Sequence, residues 1–369
     1  MPLQTTAGSV GVELSVIIPT FNEVDNVAAL ARRLEVVLAG VAWEAIFVDD
    51  DSPDGTAAEV RRIGRDNPHI RCLQRIGRRG LSSACIEGFL ASSAPYLAVM
   101  DGDLQHDEAL LAPMLDCLRS EPVDIVVGSR YVGGGGIGNW DQSRARMSVF
   151  ATRLSRLVLK AELGDPMSGF FMVRREAMER AVRKLSGVGF KILLDLFASV
   201  PEPLRFRELP YQFRERQADE TKLDIRVMLD YLMLLADKLI GHTIPVRFFL
   251  FSLVGTVGVF VHLLVLMLAY GPLGASFATG QAAATLAAMS GNFFLNNYTT
   301  YRDRRLKGWG LVRGFFSFSL ACSVGAVANV GIASYLFSSS TAWLLSALAG
   351  VLVGAVWNYA VTAVYTWKN

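Results

Sequence analysis

The chain has 369 residues, of which 52% are hydrophobic and only 19% charged, with a net charge of +2 and a mean hydropathy of +0.35. Soluble domains carry about 25% charge, so this chain is too apolar to be wholly water-soluble, and the same figures exclude intrinsic disorder and a collagen-like repeat. The small net charge gives no global case for nucleic acid.

Residues 1–13 are polar and lack an apolar core, so no signal peptide is expected. Four short apolar runs follow: LSVIIP at 14–19, WEAIFV at 43–48, YLAVM at 96–100 and VDIVV at 123–127. Each is too short for a typical helix and rich in β-branched or aromatic residues, which predicts strands. Helical patterns lie near 24–38, 56–66, 81–93 and 107–119, with Thr56 and Glu59 spaced as a capping box. Strand–helix alternation predicts an α/β fold with a mostly parallel sheet, helices on both faces and ligands at the carboxyl ends of the strands. The four cysteines, Cys72, Cys85, Cys117 and Cys322, are far apart and read as reduced, buried thiols.

Further along, 133–138 is a glycine-rich run without the strand–turn–helix context of a dinucleotide fingerprint; it reads as a hinge of a mobile loop. Residues 147–160 and 226–240 are amphipathic. Both could lie in the headgroup plane, the alternative being ordinary core packing. Residues 248–301 and 314–367 are each 54 long without a single Asp, Glu, Lys or Arg. A crossing needs about 20 apolar residues, so each span holds two crossings, turning near 270–274 and near 337–341. The intervening 302–313 carries five basic residues against Asp303, which places this loop, the amino-terminal half and the carboxyl terminus in the cytoplasm by the positive-inside rule. Within these spans Gly350 and Gly354, and Ala321 and Gly325, have the small-residue spacing of helix contacts. Asn292, Asn296, Asn329 and Asn358 are candidates for interhelical hydrogen bonds. A faint internal echo links Asn292-Phe293 and Thr300-Tyr301 with Asn358-Tyr359 and Thr366-Trp367.

Acidic clusters follow the predicted strands: Glu23 after the first, Asp49-Asp50-Asp51 and Asp54 after the second, and Asp101-Gly102-Asp103-Leu104-Gln105-His106 after the third. Carboxylates brought into one crevice repel unless a cation neutralises them. Oxygen donors are hard ligands, so Mg²⁺ or Mn²⁺ is expected, bridging to substrate phosphates. Asp50 is suited to a ribose or base contact. Asp49, Asp51 and Asp54 fit turn geometry equally well, and His106 reads as a supporting residue rather than a ligand. Downstream, Arg130, Arg144, Arg216 and Lys222 suit a second, anionic substrate, with exposed surface positions as the alternative.

Together, PTFNE, VDDDSPDGT, GLSSA, MDGDLQH, GSRYV, DPMSGFF and GFKILLD resemble the family 2 glycosyltransferases, specifically polyprenyl-phosphate (dolichol-phosphate) mannose synthases, over nearly all of 14–240. The apolar half resembles the four-helix domain fused to some of them. The resemblance implies a GT-A-type, Rossmann-like sheet domain followed by an all-α four-helix transmembrane domain, divided as 1–223, a juxtamembrane amphipathic helix at 224–241, and 242–369. It implies nucleotide binding by Pro19, Phe21, Glu23, Val48, Asp50 and Asp101, and Mg²⁺ or Mn²⁺ on Asp101, Asp103 and Gln105. Asp103 and Arg130 would act at the transfer step. Arg144, Ser148, Arg216 and Lys222 would hold the acceptor phosphate. Ala218 and Thr221 replace the usual Gly and Ser of that last loop, and Phe21 replaces a common Tyr.

The implied activity is metal-dependent, inverting transfer of a hexose to a polyprenyl phosphate at the cytoplasmic side of a membrane, with GDP-mannose the favoured donor. The alternatives are a synthase using a UDP-sugar to transfer glucose or an N-acetylhexosamine, and a non-catalytic lipid-carrier or flippase component. A processive polysaccharide synthase would carry Q-x-x-R-W, and no tryptophan here follows an Arg.

Overall fold

The structure, a computed structural model, describes residues 11–136, 154–155, 158–159, 161–187, 189–214, 231, 233–235, 237–239, 246–301, 304–339 and 343–367. The chain divides into two compact units, Met1–Leu239 and Ile240–Asn369.

The first unit is built on a seven-stranded sheet ordered β3-β2-β1-β4-β6-β5-β7. Its strands are β1 (Leu14–Thr20), β2 (Trp43–Asp49), β3 (Ile70–Gln74), β4 (Tyr96–Val99), β5 (Ile125–Ser129), β6 (Phe171–Arg174) and β7 (Phe206–Pro210). All neighbouring pairs are parallel except those made by β6, which runs antiparallel to β4 and β5. Helices α1 (Val24–Val37), α2 (Thr56–Asp66), α3 (Leu81–Ala91) and α4 (Leu111–Ser120) alternate with the first five strands; α5 (Arg175–Val182) and α6 (Ile192–Ser199) follow β6.

The apolar runs do not alternate because both faces are buried. Side chains of one strand go to opposite cores. Val16 and Ile18, Ala45 and Phe47, Ala98 and Val126 join one cluster with Leu30 and Leu34 of α1 and Met114 and Leu118 of α4. Ile17, Ile46 and Val48, Leu97 and Val127 join the other with Phe89 of α3 and Leu193 and Leu196 of α6. Burying each such side chain contributes about 1.5–3 kcal/mol. Gly88 lets α3 lie directly on β1, since a Cβ there would overlap Ile17.

Three local expectations are corrected. The capping box at Thr56 and Glu59 does not form: Thr56 is already helical, Asp54 accepts its N–H at 3.0 Å, and Glu59 pairs with Arg62. Strands β3, β6 and β7 were not foreseen. The described residues of the two amphipathic stretches pack together, with Tyr231, Leu234 and Leu235 buried against Leu154, Val158, Leu159, Met167 and Leu194. They therefore follow the core-packing alternative rather than the headgroup plane. Lys238 of the second stretch, half-buried, pairs with the fully buried Asp195 of α6 at 2.6 Å. All four cysteines are free; Cys85 and Cys117 are buried and the other two half-buried.

Among the described residues the second unit has four long helices, α7 (Val246–Tyr270), α8 (Phe277–Tyr298), α9 (Trp309–Ser338) and α10 (Trp343–Val361), and the first turn lies where the sequence placed it. Among the described residues, Val246–Tyr270 and Trp309–Ala328 are long and apolar enough to cross a membrane, with mean hydropathies of 2.4 and 1.6. The internal echo has a physical counterpart. Asn292 of α8 presses its amide on Gly258 of α7, and Asn358 of α10 presses its amide on Gly325 of α9, so close that a Cβ on either glycine would overlap. The matched residues Tyr301 and Trp367 stack on each other, 4.1 Å between centroids and 6° between planes. The Trp367 Nε1–H donates to Asn297 Oδ1 at 3.1 Å, which also accepts from Leu306 N.

Candidate active site

Parallel strands β3, β2, β1 and β4 deliver their carboxyl ends to one edge of the sheet, the edge at which sheets of this kind bind ligands. Pro19 and Val48 are register partners at the ends of β1 and β2. The loops beyond them are laced together. Asn22 N donates to Ser52 Oγ, Glu23 N to Thr56 Oγ1 and Val24 N to Asp54 Oδ2, at 3.0–3.1 Å. The Glu23 carboxylate accepts from Asn26 Nδ2 at 2.6 Å. Asp49, fully buried, accepts from Ser52 N. Asp51 accepts from Gln74 Nε2. Asp49, Asp51 and Asp54 thus serve the turn.

Asp50 differs from its neighbours. Its Oδ1 accepts from Arg75 Nη1 and its Oδ2 from Gly80 N, both at 2.6 Å. Arg75 is 2% exposed and also reaches Glu87 and Ser83. Burial raises the Asp50 pKa, and the Gly80 N–H and Arg75 only partly offset it. Beside this cradle, Phe21 is 40% exposed and carries the Arg79 guanidinium 4.3 Å above its ring.

The Asp101–Gln105 turn leaves β4 under strain. Leu104 has φ 61°, a conformation costing about 1–3 kcal/mol in a non-glycine residue. Gly102 sits in a crowded place, since a Cβ there would stand 3.0 Å from Thr20 Cγ2 and push that methyl aside. Asp103 Oδ1 accepts from Gln105 N at 3.2 Å, and Gln105 Nε2 donates to Arg214 O at 3.1 Å, which makes Oε1 the amide end suited to a cation. Two carboxylates and an amide oxygen on one turn are a hard donor set that fits a divalent ion sharing phosphate oxygens. Arg214 fastens the turn from outside through Asp107 and Glu108, both at 2.7 Å. His106 is buried beneath it, and burial pushes its pKa down to about 4.

Arg130 follows β5 and is held by Asp165, which is fully buried. Nε and Nη2 donate to the two carboxylate oxygens at 2.7 and 2.8 Å, and the Arg130 N–H adds a third bond at 3.1 Å. Burial alone would lower the Arg130 pKa, but the Asp165 carboxylate outweighs it and raises it. The described part of the glycine run is not a free hinge. Gly136 N donates to Tyr211 O, Phe213 N to Gly136 O, and Gln212 Nε2 to Gly134 O. Arg144, Ser148, Arg216 and Lys222 lie outside the described residues.

Residues 15–181 match the glycosyl transferase family 2 model, and 250–367 match the GtrA/DPMS transmembrane domain. The chain is 31% identical to a dolichol-phosphate mannosyltransferase of Pyrococcus furiosus, covering 97% of this chain and 100% of that protein. The chain belongs to the dolichol-phosphate mannosyltransferase family. It is a glycosyltransferase with a membrane domain. A family member from Saccharomyces cerevisiae is 35% identical, over 61% of this chain and 86% of its own length. The fold is also similar to glucosyl-3-phosphoglycerate synthase from Mycobacterium tuberculosis, solved with Mn²⁺, uridine diphosphate and phosphoglyceric acid. There the TM-score is 0.47 and the identity 18%, over 62% of this chain and 78% of that one.

Against this family, the sequence reading missed the partners that hold the charged groups: Arg75, Gly80, Asp165 and Arg214. GLSSA and DPMSGFF contained two of them, Gly80 and Asp165, but nothing in those strings names a contact 30 or 35 residues away.

Proposed function

We propose that the chain transfers mannose from GDP-mannose to a polyprenyl phosphate, with inversion at the anomeric carbon and with a divalent cation. The observation that carries this reading is the strained Asp101–Gln105 turn, with its hard oxygen donors, beside the Asp50 cradle at one sheet edge. The full-length similarity to the Pyrococcus protein supports the mannose and the lipid acceptor.

In this reading Pro19, Phe21, Glu23, Val48 and Asp50 line the nucleotide, with Asp101 at the diphosphate. Asp101, Asp103 and Gln105 hold Mg²⁺ or Mn²⁺, and the bound ion supplies neutralising charge to the departing diphosphate. Arg130, fixed by Asp165, presents an oriented positive charge to the phosphates. Arg144, Ser148, Arg216 and Lys222 hold the acceptor phosphate in line with the anomeric carbon. A phosphate monoester loses its second proton near pH 6, so the acceptor is already anionic at neutral pH and no strong general base is needed. One displacement inverts the sugar carbon. The basic loop after α8 supports a cytoplasmic catalytic unit by the positive-inside rule, with the four helices as its membrane anchor.

The test is transfer of label from GDP-mannose or UDP-glucose to a short polyprenyl phosphate by the full chain in detergent with Mg²⁺ or Mn²⁺. Lipid-linked mannose is expected from GDP-mannose alone, and Asp103→Ala should lower turnover by on the order of 10²–10³-fold. Glucose transfer in place of mannose, or undiminished turnover with a chelator, overturns the donor or the cation respectively.

A further inference from the structure

We propose that His106 is a positioning residue for the cation-binding turn, a neutral imidazole that closes the turn through Nδ1 and turns its Nε2–H toward the Asp101 carboxylate. The inference rests on the cation reading above.

The backbone N–H of Asp101 donates to His106 Nδ1 at 3.0 Å. A ring nitrogen that accepts carries no proton, so the proton sits on Nε2 and the ring is neutral. That hydrogen bond joins the first residue of the D-x-D-x-Q turn to the residue just after it, and so fixes the loop that carries both carboxylates. Nε2 lies 3.7 Å from Asp101 Oδ2, too long for a hydrogen bond but close enough for electrostatic attraction.

The ring cannot easily turn away. It is 2% exposed and stacks on Phe170 at 5.1 Å, while Tyr211 and Phe213 meet it edge-on, each at 5.8 Å. Gly169 completes the fit. A Cβ there would stand 3.3 Å from Asp101 Oδ2 and 3.5 Å from His106 Cε1, so a side chain at this position would press on the Asp101 carboxylate. A neutral donor orients a metal-binding carboxylate without competing for it, whereas a cationic side chain at the same place would neutralise it. Groups that orient a ligand in this way typically contribute 10–100-fold to metal affinity.

The test measures Mn²⁺ affinity by electron paramagnetic resonance on the full chain in detergent with GDP present, alongside melting temperature. His106→Phe keeps the ring stack and removes both nitrogens; a loss of about 10–100-fold in Mn²⁺ affinity is expected. His106→Asn keeps an acceptor near the Nδ1 position without the distal N–H, and a loss toward the low end of that range is expected, with melting close to the parent. Parent-like Mn²⁺ affinity in either folded variant overturns the proposal, including when the melting temperature falls, because a merely structural histidine would act that way. If His106→Phe does not fold, His106→Asn decides alone. Asp103→Ala separates the two readings. If the parent binds no Mn²⁺, or Asp103→Ala binds it equally well, the cation reading itself fails. If only Asp103→Ala loses the ion, the cation reading stands and His106 has no positioning role.

Discussion

Asp50 and Arg130 look alike in the sequence, each a charged residue two or three positions after an apolar run, and each proves to be gripped by a buried partner. The Arg130–Asp165 pair makes the consequence testable. Removing one member of a buried pair leaves an uncompensated charge and costs about 3–5 kcal/mol, whereas replacing both by apolar groups of similar volume is often neutral. Asp165→Ala should therefore lower the melting temperature sharply. Arg130→Met combined with Asp165→Leu should recover most of that loss while turnover stays low, because the oriented charge is gone. A double variant that regains both stability and turnover would remove Arg130 from the reaction. At this scale the sequence told where carboxylates gather but not what holds them. Asp101 and Asp103 follow β4 by local pattern alone, while Arg75 and Asp165 reach their partners only because the sheet order brings separate segments together.

Among the elements, β1, β2, β4 and β5 were legible because apolar runs of that length fit a doubly covered sheet. β3 and β7 were not: each is only partly buried and interspersed with polar residues, IRCLQ and FRELP. β6, four residues running against its neighbours, is also invisible to a strand–helix alternation rule. Its neighbour β5 is fastened to β7 by Asp124, which accepts from Arg205 N at 2.9 Å and pairs with Arg205 and Arg180. Burial pulls the Asp124 pKa upward, but those arginine contacts outweigh it and hold the carboxyl below its ordinary 3.8. A depressed carboxyl pKa contributes stability that is fully present above the unfolded value and is lost as pH falls through the folded one. Asp124→Asn should thus lower the melting temperature near neutral pH. The gap to the parent should close below about pH 4, as followed by circular dichroism across pH 3–7. A gap that stays constant with pH would assign the effect to packing instead. The helix pairs were legible in number, boundaries and even internal echo, because absence of charge is a signal that no tertiary context is needed to read.

For the molecule as a whole, among the described residues, the apolar clusters of the first unit lie within 14–235, and that of the second within 251–367. Residues 1–239 alone should therefore fold, remain soluble without detergent and melt cooperatively. Aggregation of this fragment, or a featureless melt, would show that the first unit needs the helices to complete its core. The expectation of a boundary near residue 242 was readable from charge distribution. The packing of the second amphipathic stretch into the first unit was not, since an apolar helical face fits a protein core and a bilayer surface alike.

The stacked Tyr301 and Trp367 impose an order on biosynthesis. Trp367 lies beyond all four helices and is fully buried, yet its ring covers a residue from the end of the second helix. During translation at about 5–20 residues per second, Tyr301 leaves the ribosome roughly 3–13 s before the indole that shields it. Until then the Tyr301 ring, at the end of the first hairpin, lacks the cover that the Trp367 indole gives it in the finished fold.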